Sequence, residues 1–470
     1  MFVVQLLFLI VVLMLIKRYA KEIRQRIVEK RRFVQLINQL PGPTALEMLG
    51  EILRFGMDSK KFSSRMEAIF RKYAYQHDHG IICLWFGLKP ILVLTRSTSA
   101  KVILENTKLM NKSDDYDIFK RLNMLENLDK HCDTNETFDL LPYLHRYGLD
   151  IIAETTMGIK IDSKHQHISD QYREALPIVQ QLMWARLRYP WYWFAPIRWL
   201  TGFDKKLDYY CNICKKLTSQ IITEKKKEWE AFDNQPSMDD LSASGKKQLT
   251  FMDLLFSFRQ QYSLTDEEIR DQVDMFLAAG SDSVSIQIGF NLFALGHRQH
   301  YQEKVYEEIK RVLGETERDI TPDEVSELKY LYQCICETGR LMPSAAIIGR
   351  KIDTELDLCG YTVPAGTTCC ISPFSIMRDP KHYDNPEGYD PEHFSPEKVK
   401  NRDPFAFVPF SAGIRNCIGS KFANLALMVT LAHILRRYRV TSMISEVENQ
   451  LVLDLALKPS KGIPVRLERR

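Results

Sequence analysis

Residues 410–419 of this 470-residue chain have the sequence FSAGIRNCIG, and this stretch decides how the rest of the chain is interpreted. Cys417 lies in a short loop between Gly413 and Gly419, directly before a helical pattern that begins at Ser420. A cysteine at a helix N-terminus meets unpaired backbone N–H groups and the positive end of the helix dipole, and both favour the thiolate. Glycines have no Cβ, so a large flat partner can approach the backbone here. The stretch therefore predicts a thiolate that binds such a partner.

At every fixed position the stretch resembles the F-x-x-G-x-R-x-C-x-G signature of the cytochrome P450 superfamily, the haem-thiolate monooxygenases. The resemblance implies a mainly α-helical fold with small β-sheets. It implies haem b as the cofactor, with the Cys417 thiolate as the axial ligand of its iron. Phe410, Gly413 and Gly419 would lie around this haem. Arg415 would pair with a haem propionate, because a guanidinium fork suits carboxylates. The alternative for Cys417 is a small buried hydrophobic side chain.

Length and composition indicate one large globular domain over residues 40–470. Hydrophobic residues make up 45% of the chain and aromatic residues 11%, and no linker or repeat divides this region. A net charge of +4 is too small and too dispersed to indicate a nucleic-acid partner. Ten cysteines without framework spacing indicate a reducing, cytosol-facing compartment and not a disulfide scaffold.

The first sixteen residues are apolar apart from Gln5 and are followed by Lys17 and Arg18. This run is shorter than the ~20 residues of a usual span, but flanking basic side chains can reach the interface of a thin bilayer. A cleaved signal peptide, the alternative, carries its positive charge before the apolar run. We expect a transmembrane anchor helix over residues 1–16 and a basic linker over 17–39, with the rest on the cytoplasmic side. Microsomal members of the family imply the endoplasmic reticulum membrane.

A dense aromatic segment, residues 189–199, contains three tryptophans and allows two interpretations. Trp and Tyr side chains suit a protein core, and they equally suit a membrane interface. The sequence leaves both open.

A capping box at residues 265–268 predicts the start of a long helix that runs to about Leu295. We expect residues 278–280, Ala-Ala-Gly, to interrupt this helix. Glycine costs a helix interior about 1 kcal/mol relative to alanine. Such a residue often marks a close approach or an opened hydrogen bond.

Residues 279–283, AGSDS, resemble the A/G-G-x-D/E-T pattern of the P450 distal helix, with Ser283 in place of the usual threonine. The resemblance implies that Ala279 and Gly280 lie at the haem. Asp282 would relay protons, and the Ser283 hydroxyl would hydrogen-bond dioxygen. Serine lacks the methyl group that fixes a threonine rotamer, so we expect looser positioning and more uncoupling. The alternative is a contact of small residues between packed helices.

Glu337 and Arg340 lie on one helical face and resemble the family's E-x-x-R pair. In the family this pair is buried and is joined by an arginine from a P-E-R-F segment. Here residues 391–394 read PEHF, so the third cation is His393. Histidine titrates near pH 6.5 and compensates a buried glutamate less securely than arginine does. Gly339 is a second departure, which should weaken the helix.

Arg350, ten residues after Arg340, matches a second propionate-binding position. The family's W-x-x-x-R helix, a further propionate clamp, is missing near residues 120–135. Residues 184–188 fit its pattern formally but lie where the family covers its substrate. We therefore expect one propionate to lack its charged partners and haem to be lost easily. Three residues are the nearest candidates for a replacement: Arg121, Lys130 and His131.

The cysteine loop, residues 378–380 (RDP) and residues 462–465 (GIPV) look most like the animal branch that includes fatty-acid omega-hydroxylases. That branch often has a glutamate, ester-linked to haem, at the position of Ala279. Haem is therefore predicted to be non-covalent apart from the Cys417 thiolate–iron bond.

The first functional hypothesis is a membrane-anchored monooxygenase that inserts one oxygen atom of O2 into a lipophilic substrate, a fatty acid or a xenobiotic. Its electrons would come from NADPH–cytochrome P450 reductase, docked on the cysteine side near Lys421, with cytochrome b5 as an optional second donor. The second hypothesis is a catalytically impaired haem-binding relic or splice product. The missing clamp, Gly339 and His393 motivate it.

Overall fold

The computed structural model describes residues 30–44, 47–48, 50–51, 54, 59–74, 80–86, 89–104, 123–161, 165–230, 250–314 and 318–470. The predicted anchor over residues 1–16 lies outside these residues, as does most of the predicted linker. Within the ranges described, no helix is long and apolar enough to cross a membrane.

Helices make up most of the described chain, as the sequence predicts. They are α1 (Ser59–Ala74), α2 (Ser97–Leu104), α3 (Asn123–Asp129), α4 (Leu141–Ile152), α5 (Gln166–Arg188), α6 (Ala195–Leu200), α7 (Phe203–Glu230), α8 (Phe251–Tyr262), α9 (Asp266–His297), α10 (Gln299–Leu313), α11 (Pro322–Glu327), α12 (Lys329–Leu341), α13 (Pro373–Ile376), α14 (Pro396–Asn401) and α15 (Ser420–Arg437). The capping box that predicts α9 is confirmed, since Thr265 accepts from Glu268 N while the Glu268 carboxylate accepts from Thr265 N.

The strands form small sheets at the edge of the helical body. They are β1 (Ile81–Phe86), β2 (Lys89–Leu94), β3 (Phe138–Asp139), β4 (Ile348–Lys351), β5 (Leu356–Leu358), β6 (Tyr361–Val363), β7 (Thr368–Ile371), β8 (Tyr438–Ser442), β9 (Leu451–Leu453), β10 (Leu457–Pro459) and β11 (Pro464–Arg469). The largest sheet has the order β1-β2-β7-β4, in which only the β2–β7 pairing is parallel. A second sheet has the order β3-β11-β8, and β5–β6 and β9–β10 are separate antiparallel pairs.

Helix α9 is the centre of the core. Its residues 284–296 are all buried, as expected of a helix that is covered on every side. Helices α4 and α15 and strand β8 pack against it. The crossing with α4 is close, because a Cβ on Gly148 would lie 2.1 Å from Ser285 Oγ. At this crossing Ser285 Oγ donates to Leu144 O at 2.8 Å.

The predicted interruption of this helix at residues 278–280 is wrong, because α9 is continuous from Asp266 to His297. Gly280 has a different role. A Cβ at this position would lie 2.5 Å from Cδ1 of Ile152 in α4. The glycine is therefore a point of close contact between two helices, which is the alternative that the sequence left open.

A buried ion pair links α12 to the segment that leads to the cysteine loop. Arg340 Nε and Nη2 donate to the two carboxylate oxygens of Glu337 at 2.7 and 2.8 Å, and both side chains are fully buried. The same guanidinium donates to the carbonyls of Met377, Pro386 and Gly388 at 3.1, 2.5 and 2.8 Å. Arg340 therefore fixes three points of a long irregular segment to one helix.

His393 is the third member of this cluster, as the sequence predicts. Its Nδ1 lies 3.1 Å from Glu337 Oε1, and its Nε2 lies 2.6 Å from the carbonyl oxygen of Asp384. Both of these partners offer acceptor oxygens, so each ring nitrogen faces a group to which a ring N–H can donate. The shorter side chain thus reaches the glutamate in the place where the family has arginine.

Glu337 gives the fold a predictable sensitivity to acid. Burial acts to raise the pKa of this carboxyl, but the hydrogen bonds from Arg340 and His393 outweigh it and hold the pKa below its usual range. A folded pKa below the unfolded value of about 4.3 means that the stabilisation is complete above that pH. It is lost as the pH falls through the folded pKa.

We predict that Glu337→Gln lowers the free energy of unfolding by about 3–5 kcal/mol at neutral pH, because Arg340 is left as an uncompensated buried charge. The variant should also lose less stability than the wild type between about pH 4.3 and more acidic pH. Urea unfolding followed by circular dichroism at a series of pH values measures both effects. Glu307→Gln, a change at an exposed glutamate of α10, is the control. Equal pH dependence in the Glu337→Gln variant and the wild type would contradict this prediction.

Candidate functional site

The cysteine loop is a closed turn that presents its thiol outward. Cys417 N donates to Phe410 O at 2.7 Å, which joins the two ends of the loop. Gly413 has φ +70° and begins a 3-10 turn over Gly413–Arg415. Gly419 precedes α15 and offers no side-chain cap, so the first N–H groups of this helix face the loop. Cys417 itself is exposed, which is the opposite of the buried structural cysteine that the sequence left as an alternative.

Two arginines meet beside this loop. Arg350 Nη2, from β4, lies 3.3 Å from Arg415 O and 3.3 Å from Ser411 Oγ. Burial lowers the pKa of Arg350, and the nearby Arg415 cation lowers it further. Among the residues that the structure describes, no carboxylate forms an ion pair with either guanidinium. Two like charges held together without an anion form a site that suits a carboxylate or phosphate ligand.

A cleft lies between α9, α12, the cysteine loop and α15. Its empty volume is about 630 Å³, open mouth included. Its lining comprises Ser283, Val284, Gln287, Tyr332, Ile335, Cys336, Gly339, Pro343, Ser344, Phe407, Pro409, Phe410, Ala423, Asn424 and Leu427. The cleft therefore joins the distal helix, the loop residue Phe410 and the first turns of the helix that follows Cys417.

Ser283 and Asp282 do not share this cleft. Successive helical residues point about 100° apart, and the two side chains accordingly face different neighbours. Ser283 lines the cleft, and its Oγ donates to Ala279 O at 2.8 Å. Asp282 is buried against α4 and α5. The structure therefore places the two residues to which the family resemblance assigns oxygen chemistry on different faces of α9.

Asp282 belongs to a polar cluster that sequence reasoning missed. Gln180 Nε2 of α5 donates to Asp282 Oδ2 at 2.9 Å, and Lys458 Nζ of β10 donates to Gln180 Oε1 at 2.8 Å. His145 Nε2 of α4 lies 3.5 Å from Asp282 Oδ1. Burial lowers the pKa of His145, although the Asp282 carboxylate acts in the opposite direction. These partners lie on three separate elements and form no motif, so nothing in their spacing could have identified them.

The remaining distal-helix residues divide in the same way. Ala279 is exposed, and its carbonyl accepts from Ser283, whereas Gly280 faces Ile152 of α4. Ala279 therefore lies on the same side of α9 as Ser283, and Gly280 lies on the helix-packing side.

The candidate replacements for the missing clamp are engaged elsewhere. Arg188, from the formal W-x-x-x-R match, is buried, and its guanidinium lies 4.9 Å above the Phe62 ring and 4.5 Å above the Tyr189 ring. His131 stacks on Phe138 at 4.2 Å, and Lys130 Nζ donates to Asn127 at 3.1 Å. Arg121 lies outside the described residues. None of the three described candidates lines the cleft.

The residues of this region suit a haem. An exposed thiol lies between glycines that leave room for a flat ring, and a pair of arginines without carboxylate partners lies beside it. A predominantly apolar cleft extends from the same loop to the distal helix. Thiolate, paired cations and an apolar slot are the donor set that an iron porphyrin with two propionates requires.

Comparison with known proteins agrees with this chemistry. The cytochrome P450 family matches residues 120–466. Cytochrome P450 4V2 of Homo sapiens is 30% identical over 493 residues, covering 95% of this chain and 93% of that protein. Cytochrome P450 4c3 of Drosophila melanogaster is 30% identical over 492 residues, covering 94% of this chain and 91% of that protein. Both alignments are longer than the 470 residues of this chain, so each relative has residues without a counterpart here.

The match covers most of the chain and includes the cysteine loop, the distal helix and the buried ion pair. The family fixes the cofactor as haem b, bound through a cysteine thiolate, and the reaction as monooxygenation. The chain belongs to the cytochrome P450 family, in the animal branch that its family 4 relatives represent.

Proposed function

We propose that this chain is a membrane-anchored monooxygenase in which the Cys417 thiolate is the iron ligand of haem b. Its reaction inserts one oxygen atom of O2 into a lipophilic substrate, of which a fatty acid is the first choice. The observation that carries the proposal is the exposed Cys417 thiol in a loop that meets the Arg350–Arg415 pair and whose Phe410 lines a cleft that reaches Ser283. Bound haem supplies an iron at which O2 is activated, and a thiolate ligand favours cleavage of the O–O bond.

The chain's own residues bind and orient this group. Arg350 and Arg415 neutralise propionate charge, and Phe410 packs at the cleft side of the loop. Gly413 and Gly419 leave the approach to Cys417 free of side chains. Ala279 carries no carboxylate, so haem is held without an ester bond.

The distal helix supplies the polar groups for oxygen chemistry. Ser283 presents its hydroxyl oxygen to the cleft, and Asp282 is held one position earlier by Gln180 and faces His145. We assign proton transfer to this pair, with Ser283 at the cleft and Asp282 as the buried acid behind it.

An exposed apolar surface supports contact with a membrane. In the aromatic segment Tyr189 is buried, whereas Phe194, Trp199 and Leu200 are 62%, 74% and 73% exposed. Large exposed apolar and aromatic side chains in one short segment suit a lipid interface. Together with the apolar residues 1–16, this surface would hold the domain at the endoplasmic reticulum membrane, where lipophilic substrates concentrate.

The same geometry supports a docking site for an electron donor. The exposed side of the cysteine loop is open to a partner, and Lys421 lies on the first turn of α15. NADPH–cytochrome P450 reductase would dock there, with cytochrome b5 as an optional second donor.

We predict that Cys417→Ala abolishes the thiolate-type absorption of the reduced carbon monoxide complex, because alanine supplies no ligand to the iron. Difference spectra of the reduced, haem-loaded protein measure this. Cys359→Ala, a change at a half-buried cysteine in the β5–β6 turn, is the matched control and should leave the spectrum intact. An unchanged spectrum in Cys417→Ala would refute the assignment of the ligand.

The second candidate, an impaired relic, has one observation in its favour: Arg188, Lys130 and His131, the described candidates for a replacement clamp, make contacts elsewhere. Expression of the full chain with a haem precursor distinguishes the candidates. For the active enzyme we predict one haem per chain and NADPH-dependent oxidation of dodecanoic acid by the reconstituted reductase system. Haem binding without any reductase-driven consumption of oxygen is the result expected of a relic.

Haem retention tests the arginine pair. We predict that Arg350→Leu speeds haem loss by about ten- to 150-fold, since a charge-assisted hydrogen bond contributes roughly 1.5–3 kcal/mol. Transfer of haem to an excess of a haem-scavenging apoprotein measures the off-rate. Lys351→Leu, at the next residue of β4 with a largely exposed side chain, is the control. An off-rate in the wild type as slow as in relatives with the W-x-x-x-R helix would show that another residue replaces the clamp.

A further inference from the structure

Gln287 carries a buried hydrogen-bond donor without a partner. The residue is 9% exposed, and Nε2 has no hydrogen-bond acceptor among the residues that the structure describes. Gln287 lies four positions after Ser283, so the two side chains share one face of α9 with their Cβ atoms about 5–6 Å apart. Both line the cleft. A buried amide donor left unpaired costs about 1–3 kcal/mol, so this group needs a partner that the protein does not supply.

A gap opposite Gln287 gives that partner room. On the facing helix α12, a Cβ built at Gly339 would lie 3.8 Å from Gln287 Nε2. Any larger side chain at position 339 would extend toward the amide. Gly339, which the sequence treats only as a weak point of the helix, therefore leaves space next to the unpaired donor.

The surroundings of this gap are polar enough to hold water. Ser344 and Asn424 line the same cleft, and so does Tyr332, which is 45% exposed. A buried water needs two to four polar partners. Gln287 Nε2 offers one donor. Ser283 Oγ uses its proton on Ala279 O, which leaves its lone pairs available as an acceptor.

The proton route assigned to Asp282 does not reach this side of the helix directly. Asp282 faces α4 and α5, where Gln180 and His145 surround its carboxylate. Ser283 lies on the cleft face, with Gln287 as the nearest side chain one turn further along α9. The cleft face therefore has polar groups of its own, since Tyr332, Gln287 and Ser283 all line it.

We propose that Gln287 is a positioning residue that holds a water molecule against Ser283, beside the space that Gly339 leaves between α9 and α12, and that this water passes protons to Ser283 in addition to those from Asp282. The inference rests on haem binding at Cys417. The water accepts a hydrogen bond from Gln287 Nε2 and donates one to Ser283 Oγ. A proton that leaves this water toward the cleft is replaced by one from bulk solvent. Gln287 and Ser283 therefore stay neutral throughout.

The direct test is a crystal structure of the haem-loaded protein. We expect an ordered water within 3.2 Å of Gln287 Nε2, and we expect its absence in Gln287→Leu, which keeps the approximate volume and removes the donor. A gap that is dry at Gln287 in the wild type would overturn the proposal. This readout does not depend on turnover.

The functional test uses oxygen consumption with NADPH and reductase and needs no substrate. We expect Gln287→Leu to raise the share of oxygen released as peroxide and to change the solvent deuterium isotope effect. The rate of reduction to water should fall about ten- to a hundredfold, at or below the 10²–10⁴-fold range of positioned proton transfer. Gly339→Leu should have the same effect with the amide intact, and Gln287→Asn should restore part of the wild-type behaviour.

Asn291→Leu is the matched control. Asn291 is the next buried amide along α9, lies outside the cleft lining and also carries an unpaired polar atom. The Asn291→Leu variant should leave the share of oxygen released as peroxide and the solvent isotope effect unchanged. Wild-type values in Gln287→Leu would overturn the proposal, whereas a missing thiolate spectrum in the wild type would refute haem ligation by Cys417 itself. Should Gly339→Leu fail to fold because the core is overpacked, Gln287→Leu and the crystal structure still decide.

Discussion

The buried contact between Arg340 and Glu337 is the constraint on which the cysteine loop depends. One guanidinium binds a carboxylate through two nitrogens and also three backbone carbonyls of the segment 377–388. Glu337 in turn accepts from the backbone N–H of Asp390 at 2.8 Å. This segment has little regular structure of its own, so its backbone polar groups must be satisfied from outside. A single helix turn of α12 therefore sets the path by which the chain approaches residues 410–419.

The distal helix illustrates how one short motif serves several surfaces. Gly280 admits Ile152 of α4, Asp282 contacts α5 and faces α4, and Ser283 faces the cleft. A sequence motif lists residues in a line, but a helix turns them through about 100° per position. Only part of this motif therefore faces the cleft, and the rest packs against neighbouring helices. Gln287, which lies one turn away and outside the motif, lines the cleft together with Ser283.

Local signals in the sequence predicted local structure correctly. The Thr265 capping box and the i, i+3 ion pair both depend on neighbours within a few residues. The predictions that were wrong or absent depend on distant contacts. The supposed break at Gly280 is explained by Ile152, which lies more than a hundred residues away. The Gln180–Lys458 link spans 278 positions and leaves no pattern in the chain.

Three departures from the family pattern, namely His393, Gly339 and the missing W-x-x-x-R clamp, differ in whether a neighbouring group compensates for them. His393 replaces an arginine, yet its ring reaches Glu337 and the Asp384 carbonyl together. Gly339 should weaken α12 by about 1 kcal/mol relative to alanine, yet the space it leaves faces an amide that needs a partner. If the chain had merely lost its function, there would be no reason for His393 to keep its contact with Glu337, or for the space at Gly339 to face Gln287. The missing clamp is the one departure for which the described residues offer no such group. Weak retention of haem is therefore the expectation that these departures support for this chain, because the described candidates for a replacement clamp make contacts elsewhere.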